Sequence, residues 1–261
     1  ANEKEGRFMN VMLGQFEGII VSISGGKDSQ TIMGVVAKMA KEQNYAGKII
    51  AVHADTGAEW PQSLPHCQFL ANHYGFPLEV AIPFRNLPDH IARRAGILTG
   101  TGKPFWPSAA CRYCTSDCKR APIQKVIRKI FPSKNKESLM VVTGERREES
   151  TKRAKLSERT EDIQLSTKDR WVIKWRPILD YTLENVWKHI SDSGLPRHVA
   201  YDKGNDRLSC SLCILASDGD IRNGAIECPE LAERYMKLEE TTGKTFKNGK
   251  SLKEILNGGK S

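Results

Sequence analysis

Three sets of residues in this chain have the makings of a reactive site. The first is Ser24-Gly-Gly-Lys-Asp-Ser29, in which two glycines leave backbone N–H groups open, two hydroxyls add donors and Lys27 adds a full positive charge. Between a strand and a helix such a loop cradles phosphate, because the unpaired N–H groups and the dipole of a helix N-terminus both favour an anion. The second set is the cysteines, seven in all. Cys111, Cys114 and Cys118 fall close together, Cys210 and Cys213 form a C-x-x-C, and Cys67 and Cys228 stand apart. Two close pairs far apart in sequence have the ligand spacing of a metal ion or an iron–sulfur cluster. The third is charge. Lys and Arg number 40 against 31 Asp and Glu, and between Lys119 and Thr160 thirteen basic residues face five acidic ones. That concentration predicts one strongly positive face and a polyanionic partner.

The elements that must position these residues are legible as a rhythm. Continuous apolar, β-branched runs at 18–23, 48–53, 78–82, 139–143 and 171–175 read as buried strands. Helical patterns lie at 31–41, 60–73, 183–193 and 229–242. Strands alternating with helices predict a doubly wound α/β fold around a mainly parallel, five-stranded sheet. Residues 1–193 are expected to form the nucleotide-binding α/β domain and 194–261 a cysteine-containing helical cap. Cys67 shares a helix face with Leu64 and Leu70 and is expected in the core. At 39% hydrophobic and 27% charged residues, neither a disordered chain nor a fibrous repeat fits. No apolar run approaches the roughly 20 residues that span a bilayer. No basic start leads into an apolar h-region, and an odd number of cysteines argues against a disulfide framework, so a cytoplasmic protein with reduced thiols and no membrane contact is expected.

The phosphate loop lacks the Walker frame. It resembles instead the PP-loop of the ATP pyrophosphatases, which have an adenine nucleotide alpha hydrolase-like fold and split ATP between its α and β phosphates. His53-Ala-Asp-Thr-Gly-Ala-Glu-Trp-Pro61 is similar to the second-strand motif of the phosphoadenosine-phosphosulfate reductase family. Gly144-Glu-Arg-Arg-Glu-Glu-Ser150 with Arg153 resembles its G-x-R-x-x-E-S-x-x-R pattern, and Arg176-Pro-Ile178 followed by Trp187 a third segment. The resemblance implies ATP and Mg2+ as ligands, bound by Ser24, Gly25, Gly26, Lys27, Asp28, Ser29, Asp55, Thr56, Gly144 and Arg146. It implies catalytic roles for Lys27, Asp28 and Arg146, with Lys27 neutralising the departing pyrophosphate. Asp28 either ligates the ion or caps the helix, and Glu149 is a candidate for holding Arg146 or Arg153 in place.

Two departures separate the chain from the true reductases: residues 253–261 carry no cysteine, and the loop ends in the Lys-Asp-Ser expected for ATP. Both favour ATP-consuming sulfur transfer over reduction of a sulfonucleotide. Cys114-Thr-x-x-Cys118-Lys-x-x-Pro122 resembles the segment that precedes the basic helix in this family. Ser209-Cys-Ser-Leu-Cys213 resembles the cluster-binding motif of the DNA phosphorothioation enzymes of the DndC and SspD type. By that resemblance a [4Fe-4S] cluster, or zinc as the alternative, falls to Cys114, Cys118, Cys210 and Cys213. Cys111 and Cys228 compete as ligands or persulfide carriers. The implied function is cleavage of ATP to AMP and pyrophosphate to adenylate a DNA backbone phosphate for sulfur incorporation. A cysteine desulfurase would donate sulfur, other DNA-modification proteins would be partners, and a homodimer stays open. An iron–sulfur tRNA thiolase and a nucleotide-gated nucleic-acid-binding module are the alternatives.

Overall fold

The computed structural model describes residues 11–133 and 137–258; Lys134 and Lys136 of the basic segment and the last three residues of the tail lie outside the described residues. Six strands form one sheet: β1 (Gly18–Ile23), β2 (Lys48–Ala54), β3 (Leu78–Ala81), β4 (Glu137–Val142), β5 (Arg159–Glu161) and β6 (Arg170–Trp175), in the spatial order β3-β2-β1-β4-β6-β5. β1 pairs in parallel with β2 and β4, and β4 with β6. The expected five-stranded sheet therefore gains a sixth strand, β5, which pairs antiparallel with β6. Three residues, Arg-Thr-Glu, are too few and too polar to display a strand period, so no sequence pattern marked it.

By its contacts the chain divides into two compact units. One comprises the chain up to His53, His66–Glu79 and Gln124–Arg197. Its core joins Ile19 and Val21 of β1 to Ile32, Met33 and Val36 of the helix Lys27–Glu42 and to Met140, Val142 and Trp175. Five of the six β1 residues are buried, as a strand covered on both faces requires. Cys67 lies in this core beside Leu70, as its helix face implied. The helix Leu183–Ser193 ends at Gly194, whose φ of +67° is the left-handed conformation that closes a helix and that glycine adopts without strain.

The second unit comprises Ala54–Pro65, Val80–Ile123 and His198–Ser261. The tail thus shares its core with two internal segments and does not stand by itself. Its centre is aromatic: Trp106 meets Tyr235 and Phe246 edge-on, with ring centroids 5.2 and 5.3 Å apart. Such pairs add about 0.5–1.5 kcal/mol each beyond area burial. The helices Asp218–Glu227, Pro229–Thr242 and Leu252–Asn257 close around it.

Candidate functional site

The phosphate loop is shaped by its own small residues. Gly25 has φ +77°, a left-handed turn that only glycine enters freely, and Gly26 is extended and caps the helix Lys27–Glu42 without a side chain. The Ser29 hydroxyl donates to the Gly26 carbonyl (2.8 Å) and accepts from the Ser24 N–H (3.2 Å), tying the ends of the loop together. A helix leaves its first N–H groups without intrahelical acceptors, so this closed turn presents donors to an anion. Gly25, Gly26, Lys27 and Ser29 are buried, whereas Ser24 is exposed.

Lys27 Nζ lies 3.6 Å from Asp28 Oδ2, and Arg146 Nε donates to Asp28 Oδ1 at 2.6 Å. Arg146 is only 4% exposed and also pairs with Glu148. Asp28 sits in the first turn of the helix and does not cap it, the N-cap being Gly26; its carboxylate is shared between the Lys27 ammonium and the Arg146 guanidinium. Gly144 shows why the β4 loop needs a glycine: a Cβ there would stand 2.8 Å from the Asp28 carbonyl oxygen. The sequence motif is thus a docking device that brings Arg146 onto the phosphate-loop helix. Glu149 does both tasks suggested for it, accepting from the Arg146 backbone N–H (2.8 Å) and pairing with Arg153. Arg176, buried, donates to Glu145 at 2.6 Å and to the Ser157 carbonyl. The Arg176 contacts span 31 and 19 residues and had no local signal. Gly144→Ala is expected to cost about 1–3 kcal/mol by overpacking against backbone that cannot yield, read as a lower denaturation midpoint.

Asp55 and Thr56 follow β2 and belong to the second unit. Asp55 accepts from the Gly57 N–H (2.9 Å) and so holds a tight turn, while the Thr56 N–H and hydroxyl both donate to Glu59 Oε2, at 2.8 and 2.6 Å. In the same unit Glu59 Oε1 receives the Cys210 thiol at 3.6 Å and faces the Lys119 ammonium at 3.4 Å. Glu59 and Lys119 were not singled out as site residues: they are sixty positions apart, and only the fold joins them.

Cys118 and Cys210 are buried in one apolar cluster, and Cys114 and Cys213 pack against it. Cys118 sits in a π-helical turn, Ser116–Arg120, an element common at functional sites. Ser211 fixes the C-x-x-C turn by donating its N–H to the Ala58 carbonyl at 2.8 Å. Burial pushes the Cys118 thiol up to about 11 and the Cys210 thiol to about 12. Both are neutral thiols near pH 7, so neither has the low pKa of a sulfur relay; Cys111 is exposed. Among the described residues no group of three or more His, Cys, Asp or Glu side chains is arranged to hold a metal ion. The donor set fits thiophilic metal in kind, but its coordination geometry is not closed.

The basic segment is less uniform than its count. Arg146 is buried, Arg147 pairs with Asp180 and Arg153 with Glu149. Lys125, Arg128 and Lys129 are exposed on the helix Ala121–Ile130. Among the described residues no helix is long and apolar enough to cross a membrane.

A closed phosphate loop after the first parallel strand, backed by an arginine loop after the neighbouring strand, defines a nucleotide-binding α/β protein. The chain belongs to the phosphoadenosine phosphosulfate reductase domain family, whose model matches residues 18–216. An adenosine 5'-phosphosulfate reductase of Pseudomonas aeruginosa is 26% identical across 74% of this chain and 65% of its own length. An uncharacterized protein of Escherichia phage 186 is 26% identical, covering 89% and 77%. An uncharacterized protein of Methanocaldococcus jannaschii is 25% identical over 83% of this chain, which spans only 40% of that relative's length. Among solved structures, the phosphoadenylyl-sulfate reductase of Candida auris in its phosphate complex has a TM-score of 0.52 at 16% identity, covering 80% of this chain and 88% of that one. The FMN adenylyltransferase of Candida glabrata in complex with ATP has a TM-score of 0.51 at 15% identity, covering 79% and 58%. These two show that the fold is the adenine nucleotide alpha hydrolase type, as the sequence implied.

Proposed function

We propose that this chain is an ATP pyrophosphatase that adenylates a DNA backbone phosphate, so that sulfur can replace a non-bridging oxygen. The observation that carries the reading is the buried Lys27 ammonium at the first residue of the phosphate-loop helix, braced through Asp28 by Arg146. A phosphate oxygen attacks the α-phosphorus of ATP, the bond to the β-phosphate bridge breaks, and negative charge collects on the leaving pyrophosphate. Lys27 and the N–H groups of Gly25 and Gly26 meet that charge where it develops, and preorganised donors of this kind supply the largest share of many rate enhancements. Asp28 and Arg146 are positioning residues. Kinship at 26% identity with adenosine 5'-phosphosulfate reductases supports the reading, because their named substrate is also an anhydride of an adenosine 5'-phosphate.

Cys114, Cys118, Cys210 and Cys213 are the proposed ligands of a [4Fe-4S] cluster, with zinc as the alternative; four thiols in one apolar surrounding suit either. On anaerobic purification the protein is expected to be brown, and Cys210→Ser to lose the iron, because oxygen ligands hold such clusters poorly. Elemental analysis checks this, and a colourless protein with tightly held zinc decides for the alternative. The sulfur itself is assigned to a separate cysteine desulfurase. The function is tested by digesting the product and locating the sulfur by mass: a sulfur-bearing dinucleotide linkage is expected, and a thiolated base would point to tRNA thiolation and contradict the backbone assignment.

A further inference from the structure

The chain between β3 and residue 98 carries a surface that adenylation does not use. Ile82 is 72% exposed, Ile97 57% and Phe84 100%. A single exposed apolar side chain needs no explanation, but here three lie along one short segment beside a concentration of positive charge. The Arg85 guanidinium lies 5.8 Å from the Phe84 ring centroid. His90, Arg93, Arg94 and Ile97 follow at helical spacing on Leu87–Leu98 and share one side of it. Arg94 stacks over Tyr113 at 4.3 Å, and its Nε is buried without a hydrogen-bond partner. A buried guanidinium N–H with no acceptor is costly. Burial holds the His90 imidazole below its usual range, and the positive charges of Arg94, Arg85 and Arg93 lower it further, against the raising effect of Asp117. Of the nearby carboxylates, Asp117 pairs with His90 at 3.6 Å and Asp89 is taken by Arg234 at 2.6 Å.

We propose that this surface docks a single-stranded stretch of nucleic acid, with a base stacked on Phe84 and its flanking phosphates held by Arg85, Arg93 and Arg94. The inference deepens the proposed function, resting on its nucleic-acid acceptor, and moves the expected contact away from the exposed lysines of Ala121–Ile130. An aromatic ring beside guanidiniums is what a flexible strand needs: every base has a face to stack, and every linkage a charge to pair. A duplex, whose bases are already stacked, gains nothing from Phe84.

The experiment uses the full chain and a short fluorescein-labelled oligothymidylate, read by anisotropy across a salt series. Phe84→Ala is expected to weaken binding about 10-fold, the scale of one lost base–aromatic stack, with the salt slope unchanged. Arg93→Ala is expected to reduce the log–log salt slope by about 0.7, the value for one contact on a single strand. Phe84 is fully exposed, so Phe84→Trp should fold normally, keep binding and lose indole fluorescence when the strand is added. ATP cleavage without nucleic acid should be unchanged in all three variants. If Phe84→Ala and Arg93→Ala bind the strand as the parent does, this docking face is wrong while the adenylation reading stands. If the parent binds neither single strand nor duplex, both fail. If Phe84→Ala instead converts a dimer to a monomer in sedimentation with strand binding intact, the surface belongs to a second copy of the chain and the proposal is overturned.

Discussion

Replacing Lys27 with alanine is expected to lower the rate of ATP cleavage roughly 10²-fold or more, the usual scale for removing one preorganised donor from developing charge. The reasoning is local. Lys27 is 6% exposed, and its ammonium is held beside Asp28, whose other oxygen is fixed by Arg146. The charge is therefore in place before the reaction and needs no reorganisation as pyrophosphate departs. Because the loop is closed by Ser29 and its glycines and not by Lys27, the variant should keep its fold and lose chiefly kcat. Steady-state rates beside a thermal melt separate the two effects. A Lys27→Ala protein that cleaves ATP at the parental rate would remove Lys27 from the chemistry.

The second large effect is expected at Arg146, through stability as well as rate. Truncating Arg146 to alanine leaves the Asp28 carboxylate with the Lys27 ammonium at 3.6 Å but without its 2.6 Å guanidinium bond, and losing a hydrogen bond between charged groups costs about 2–3 kcal/mol. Asp28→Ala removes the same pair from the other side. A double-mutant cycle should then show strong coupling, the double variant being far less destabilised than the sum of the single ones. Additive losses would mean that the 2.6 Å contact contributes nothing. Activity gives a second readout: Arg146→Ala should also slow ATP cleavage with no nucleic acid present, since Lys27 loses the brace that holds Asp28 against it.

The parts of this molecule legible in the sequence are those written in neighbouring residues. The strand at Gly18–Ile23, the glycine loop after it and the helix from Lys27 follow from a β-branched run, a small-residue turn and an amphipathic repeat, all within 25 positions. Gly144 and Arg146 could be named from their motif, but not what they do. Asp28 meets Arg146 across 118 residues, so nothing in the loop's own residues pointed to that ion pair. The same limit hid the Glu59–Lys119 pair and the sharing of one core by Ala54–Pro65, Val80–Ile123 and the tail. A count of charges carries no burial: between Lys119 and Thr160, Arg146 is 4% exposed and Arg147 and Arg153 are committed to Asp180 and Glu149, pairings that the count alone does not show. The sixth strand escaped because three residues cannot display a period.

The most direct measurement of the central claim is the identity of the products from ATP. The full chain, its nucleic-acid acceptor and ATP labelled at the α-phosphate are incubated anaerobically, and the nucleotides and phosphates are separated by ion-exchange chromatography. AMP and pyrophosphate are expected in equal amounts, with label held in a nucleic-acid adenylate when the sulfur donor is withheld. ADP and orthophosphate would contradict it.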